Sequence, residues 1–265
     1  MAVRGIGAVV RGAFDAVIRP HRFVEFQTDS YATSRLGMVR QMGSLLGVYI
    51  INLVAYAIPL TLAGIGVQPT QQSPGWFRNL VSASGIDPTA GWQLLVAFVQ
   101  NSLYITMATA ITLVTFHVGV LIVRDSRDIV QSVHTVVYTT SAYLVAVFSG
   151  VWYLTNQAGV SGARVLVRNL QASFVYAIID LLGADLELPG GRPEEIAANA
   201  LSTEGQWILA LLSVALLYYL FSLYLGARIN HRATRSNALI AVAAVALSPA
   251  VYVTGSVLAY TLGFT

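Results

Sequence analysis

The sequence predicts an all-α, polytopic membrane helix bundle with five transmembrane helices, the N-terminus inside, the C-terminus outside, and amphipathic helices at the interfaces. Three observations carry this. The 265 residues are 56% hydrophobic and 10% charged, where a soluble domain would carry about 25% charged residues. Five apolar runs, at about 43–67, 92–123, 129–155, 206–226 and 237–262, reach the length a helix needs to cross a bilayer. The basic residues, all 15 of them arginine, also divide unevenly: 11 fall in segments that share a side with the N-terminus, and only Arg78, Arg164, Arg168 and Arg192 fall on the other. By the positive-inside rule the N-terminal side is cytoplasmic. Residues 1–36 are then a cytoplasmic segment, and residues 37–265 a membrane domain with an exterior insertion at 156–205.

Along residues 1–18, Arg11 and Asp15 interrupt the apolar stretch, which argues against a signal peptide. Val3, Ile6, Val9, Val10, Phe14, Val17 and Ile18 fill about half of a helical wheel, with Arg4, Arg11 and Asp15 opposite. That pattern suits a helix lying on the cytoplasmic leaflet, or one packed on the inner ends of the spans. Asp87-Pro88 supplies an N-cap and a first-turn proline for the second span, and Thr203 with Gln206 has capping-box spacing before the fourth. Trp76, Phe77, Trp92, Trp152, Tyr153 and Trp207 mark the outer boundaries, where amphipathic rings favour the headgroup layer. Between spans three and four, residues 163–183 place Leu166, Leu170, Phe174, Ala177, Ile178, Leu181 and Leu182 on one arc. Arg168, Asn169, Ser173 and Asp180 lie opposite. This is an amphipathic helix on the outer leaflet or capping the bundle. Pro189-Gly190-Gly191 breaks it, and Pro193-Glu194-Glu195 starts a short helix with acids at its positive end.

The chain has no cysteine, which excludes disulfides, thiolate metal sites and cysteine nucleophiles. Walker, Rossmann, HExxH and GxSxG elements are missing too, so the reading is non-enzymatic, with neither cofactor nor metal expected and no nucleic acid among the partners. Ionisable groups inside spans are functional candidates. His117 and His134 would lie at similar depth across a hairpin of spans two and three, yet a metal needs further ligands. Asn52, Gln100 and Asn101 are polar candidates for interhelical bonds or solute contacts. Thr106, Thr109, Thr112 and Thr115 turn too far per step to line one pore, and each hydroxyl is expected to bond its own helix. Pro59 and Pro249 should kink the first and last spans near their middles. Small-residue ridges at Gly43/Gly47 and at Gly255/Ala259/Gly263 predict close helix contacts, within the chain or with a second copy.

Three local patterns resemble the Yip family of five-span membrane proteins, first known as partners of Rab-type GTPases. Arg19-Pro20-His21-Arg22-Phe23 is similar to the family's proline-basic-phenylalanine box. Val137-Tyr138-Thr139-Thr140-Ser141-Ala142 resembles its tyrosine motif, with Ala142 where a proline is common. Gly226, His231 and Ala238-Leu239 match the spacing of its segment joining spans four and five. The resemblance implies a membrane-organising or scaffolding role. From the residues alone, Arg228, His231, Arg232 and Arg235 cluster at the inner headgroup level and should attract anionic lipid. The partners expected are therefore the bilayer and its anionic headgroups, with a homo-oligomer or other membrane proteins left open, and the setting expected is a prokaryotic plasma membrane. A passive channel or carrier along Asn52, Gln100, Asn101 and the histidines is the alternative. An intramembrane enzyme around His117 and His134 is a weaker one.

Overall fold

The computed structural model describes residues 35–123, 129–140, 157–188, 191–193 and 202–262. Outside them lie the expected helix at 1–18, the Arg19–Phe23 box, the Arg124–Asp128 turn, residues 141–155 of the third run, Pro189-Gly190, Glu194-Glu195 and Gly263. The described residues form eight helices and no strand: α1 (Arg35–Leu62), α2 (Gly75–Val81), α3 (Pro88–Val123), α4 (Ile129–Thr139), α5 (Gln157–Leu182), α6 (Thr203–Ile229), α7 (Arg235–Ala246) and α8 (Ser248–Thr261). By length and apolarity α1, α3 and α6 could each cross a membrane, and α7 with α8 makes a fourth candidate if the bent pair is one span. The third expected run is described only as the 11-residue α4.

Prolines and caps set the breaks. Pro249 enters the first turn of α8 and cannot bond the carbonyl four residues back, so α7 and α8 meet at 46°. Pro59 sits near the end of its helix rather than the middle. α1 stops at Leu62, short of the expected residue 67, because Gly64 and Gly66 take φ of 82°, a left-handed geometry that ends a helix. Asp87 caps α3 through its carboxylate, accepting from Thr89 N at 3.1 Å. At α6 the cap is one residue earlier than the expected box: Ser202, in extended backbone, accepts from Gly205 N at 3.2 Å.

Cross-helix pairs fix the directions. Tyr49 meets Thr106 while Asn101 meets Thr61, so α1 and α3 are antiparallel. Asn52 bonds Val137 O and Tyr56 bonds Thr140 O, so contacts advance together along both helices and α1 and α4 are parallel. Gly119 faces Ala241 and Val123 faces Asn237, so α3 and α7 are antiparallel. The main core gathers Phe116 and Val120 of α3, Val136 of α4, Leu223 and Ala227 of α6, and Ala238, Ala241 and Val245 of α7. Small side chains let these backbones close up: a Cβ at Gly119 would stand 2.9 Å from Ala241 Cα, and one at Gly226 would overlap Thr135 Cγ2.

The expected ridges find no partner helix among the described residues. Among the described residues no atom lies within 4 Å of a Cβ built at Gly43, Gly47 or Gly255, and Ala259 is only half-buried. Their spacing is right for close contact, but their azimuth turns them away from the described helices of this chain. The expected α5 arc divides between exposed and buried positions. Of the expected apolar residues, Ile178 is buried while Leu170, Phe174 and Leu181 stay exposed. The helix packs instead through Val175, Tyr176 and Ile179 against Val253 and Val257 of α8.

Candidate functional site

The polar groups of the bundle concentrate where α3 ends, α4 begins and α6 turns into α7. On α4, Ser132, Thr135 and Thr139 recur at helical spacing, and all three are buried. Ser132 Oγ lies 2.9 Å from His117 Nδ1 on α3 and 3.2 Å from His231 Nε2 in the α6–α7 connector. One serine hydroxyl can donate to one imidazole while accepting from the other, so three separate segments are joined through a single atom. The Phe116 ring lies 5.9 Å from that of His231. One turn along, Thr135 Oγ1 bonds Gln131 O at 2.9 Å and receives Asn230 Nδ2 at 2.8 Å. Gly226 is the residue that lets α6 come close enough for this.

The connector is pinned on both sides. Asn237 Nδ2 donates to Val123 O at 2.9 Å, satisfying a carbonyl at the end of α3. Thr234 caps α7 through its hydroxyl, and Arg228 Nη1 donates to Ala233 O at 2.8 Å. Arg232 adopts φ of 51°, a left-handed conformation that costs a non-glycine residue about 1–2 kcal/mol, and this carries its side chain outward while His231 turns in.

His231, expected at the headgroup level with the arginines, is therefore corrected: it is only 2% exposed and serves as the connector's internal anchor. Arg232 and Arg235 are exposed and Arg228 is half-buried. His117 and His134 have different neighbours, since the His134 ring lies 4.8 Å from Tyr138, whereas His117 joins Ser132. Two residues along a helix turn by about 200°, which puts Ser132 and His134 on opposite faces of α4. Among the described residues no three His, Cys, Asp or Glu side chains converge on a metal position. Asn52 gives its amide to Val137 O at 3.2 Å. Asn101 binds Thr61 Oγ1 and Ile65 O, each at 3.0 Å. Gln100 is exposed. Thr106, Thr109 and Thr115 each bond a carbonyl four residues back. Ser132, Thr135 and Asn230 were not singled out by their sequence, although the hydroxyl spacing at 132, 135 and 139 is a signal that could have found the first two.

The chain was compared with family models, with curated proteins and with solved structures. It matches none of them.

Proposed function

We propose that the chain is a non-enzymatic, Yip-like integral membrane protein of five spans, with its N-terminus inside, acting as a scaffold or membrane organiser in a prokaryotic plasma membrane. The alternation of helix directions supports the five-span reading: α1, α4 and the α7–α8 pair lead away from the connector end, and α3 runs back towards it. The Yip-like assignment rests on the residues quoted for it.

One observation carries the functional reading. The α6–α7 connector is held from within by His231 and Asn230 while Arg232 and Arg235 stand exposed beside it. A pair of arginines carried on an anchored connector at the inner headgroup level would attract anionic lipid by about 1 kcal/mol per arginine, and planar donors suit phosphate oxygens. Arg228 staples the loop through Ala233 and contributes less to the exposed charge.

The test is lipid selection in nanodiscs of mixed neutral and anionic phospholipid, with bound lipid identified by native mass spectrometry. The wild type should retain anionic lipid in preference, and Arg232→Gln with Arg235→Gln should lower that preference several-fold, more so at low salt. Unchanged selection would remove the lipid part of the proposal. A solute path along Asn52, Gln100 and Asn101 is not favoured, because Asn52 and Asn101 are engaged in separate helix contacts.

A further inference from the structure

We propose that α5 is an interfacial helix whose free flank, Leu170, Phe174 and Leu181, lies against the acyl chains of the leaflet opposite the arginine connector. The inference rests on the reading of α7–α8 as a membrane span.

The helix has three distinct sides. At about 100° per residue, Val175, Ile179 and Tyr176 fall on one flank, and this flank packs on Val253 and Val257 of α8. About a quarter turn away, Asn169, Ser173 and Asp180 form a narrow polar edge. Asp180 there holds Arg192 through two bonds of 2.6 and 2.9 Å, and the guanidinium lies 4.7 Å from the centre of the Tyr176 ring. A further quarter turn brings Leu170, Phe174 and Leu181 together within about 40°, at 58%, 41% and 83% exposure.

Depth decides what covers that flank. Val257 and Val253 lie four and eight residues before Thr261 at the end of α8, which is about 6 and 12 Å along the helix axis. A helix seated on α8 at that level is inside the apolar layer of a bilayer that α8 crosses. The order of sides is the one an interfacial position requires: the polar edge with its Asp180–Arg192 pair towards water, one apolar flank on the span, and the other on lipid. Three large apolar side chains left against water would be an unusual patch, and lipid removes it.

The chain's lack of cysteine makes the test direct. Phe174→Cys and Leu181→Cys would each be spin-labelled in phosphatidylcholine vesicles, and relaxation by oxygen, which concentrates in acyl chains, compared with relaxation by an aqueous nickel chelate. Val251→Cys, on the exposed side of α8, and Asp185→Cys, in the loop after α5, report lipid and water respectively. Labels at 174 and 181 should follow Val251→Cys, with oxygen the stronger relaxant. If they follow Asp185→Cys while Val251→Cys still reports lipid, the proposal falls alone. If Val251→Cys reports water as well, the membrane reading falls with it. Broadening between labels that disappears on dilution with unlabelled protein would name a second copy as the occupant and overturn the proposal too.

Discussion

Gly119 and Gly226 sit where an added Cβ would strike Ala241 and Thr135, whereas Gly43, Gly47 and Gly255 meet none of the described residues, although the latter three belong to the better-known spacing for helix association. The difference lies in what surrounds each glycine. Gly226 is close to Thr135 because Asn230 must reach the threonine hydroxyl, and Gly119 is close to α7 because Asn237 must reach Val123 O. In a bilayer, apolar side chains gain little by choosing each other over lipid, so the tight seams are those that bring polar groups into register. Ridges without such groups are left to the membrane or to other molecules.

The same substitution at the two kinds of glycine separates them most sharply. Gly226→Ala forces its methyl into Thr135, whose rotation would disturb the bonds to Gln131 O and Asn230, and overpacking of this kind destabilises by about 1–3 kcal/mol. Gly255→Ala should stay within about 0.5 kcal/mol. Unfolding in detergent measures both. Thr135→Ser, added to Gly226→Ala, removes the struck methyl while keeping the hydroxyl, and should restore part of the loss. Equal effects at the two glycines would end the distinction between seam and ridge.

The next contrast sets Ser132 beside the threonines of α3. Ser132→Ala withdraws the fully buried hydroxyl shared by half-buried His117 and buried His231, and leaving buried polar groups unsatisfied costs about 1–3 kcal/mol. Thr115→Ala loses only a hydroxyl that folds back on its own helix and should change stability by about 0.5 kcal/mol or less. Thermal unfolding of the two variants in one detergent compares them. A Ser132→Ala protein as stable as Thr115→Ala would show that the serine does not couple the three segments.

How legible all this was follows from the same geometry. The break at Pro249 and the cap at Asp87 are local, since a missing N–H or a carboxylate one turn away acts on its own helix, and both could be read directly. Thr106, Thr109 and Thr115 of α3 bond back on their own helix as expected, because their periodicity excludes a common face. Equal depth in a hairpin places His117 and His134 at one level but says nothing of azimuth, so the sequence alone does not show that Ser132 of α4 meets His117. His231 stands among Arg228, Arg232 and Arg235 in sequence, which gives it the look of a surface residue. Only the left-handed turn at Arg232 shows that one side chain goes inward and the next outward.

The smallest expected effect belongs to the far side of the molecule, where the Asp180–Arg192 pair closes the loop after α5 in full contact with water. The hydrogen bonds from Arg192 hold the Asp180 carboxyl below its ordinary value of 3.8, and the charge of Arg192 adds to this. A depressed carboxyl contributes stability that is present above its unfolded value and is lost as pH falls through the folded one. The loop should therefore be indifferent to pH from 7 down to about 4 and loosen only below that. Leu188 N reports it, because its amide donates to Tyr176 Oη at 3.0 Å and the Arg192 guanidinium lies over that tyrosine. Its hydrogen-exchange protection, corrected for intrinsic rates, should be flat at higher pH and decline below about pH 4. In Asp180→Asn it should be lower throughout and lose that decline. Amides around Asn230 should keep their protection over the same range, since no carboxylate takes part in the bonds described there; a parallel decline at both places would mean that acid loosens the bundle as a whole.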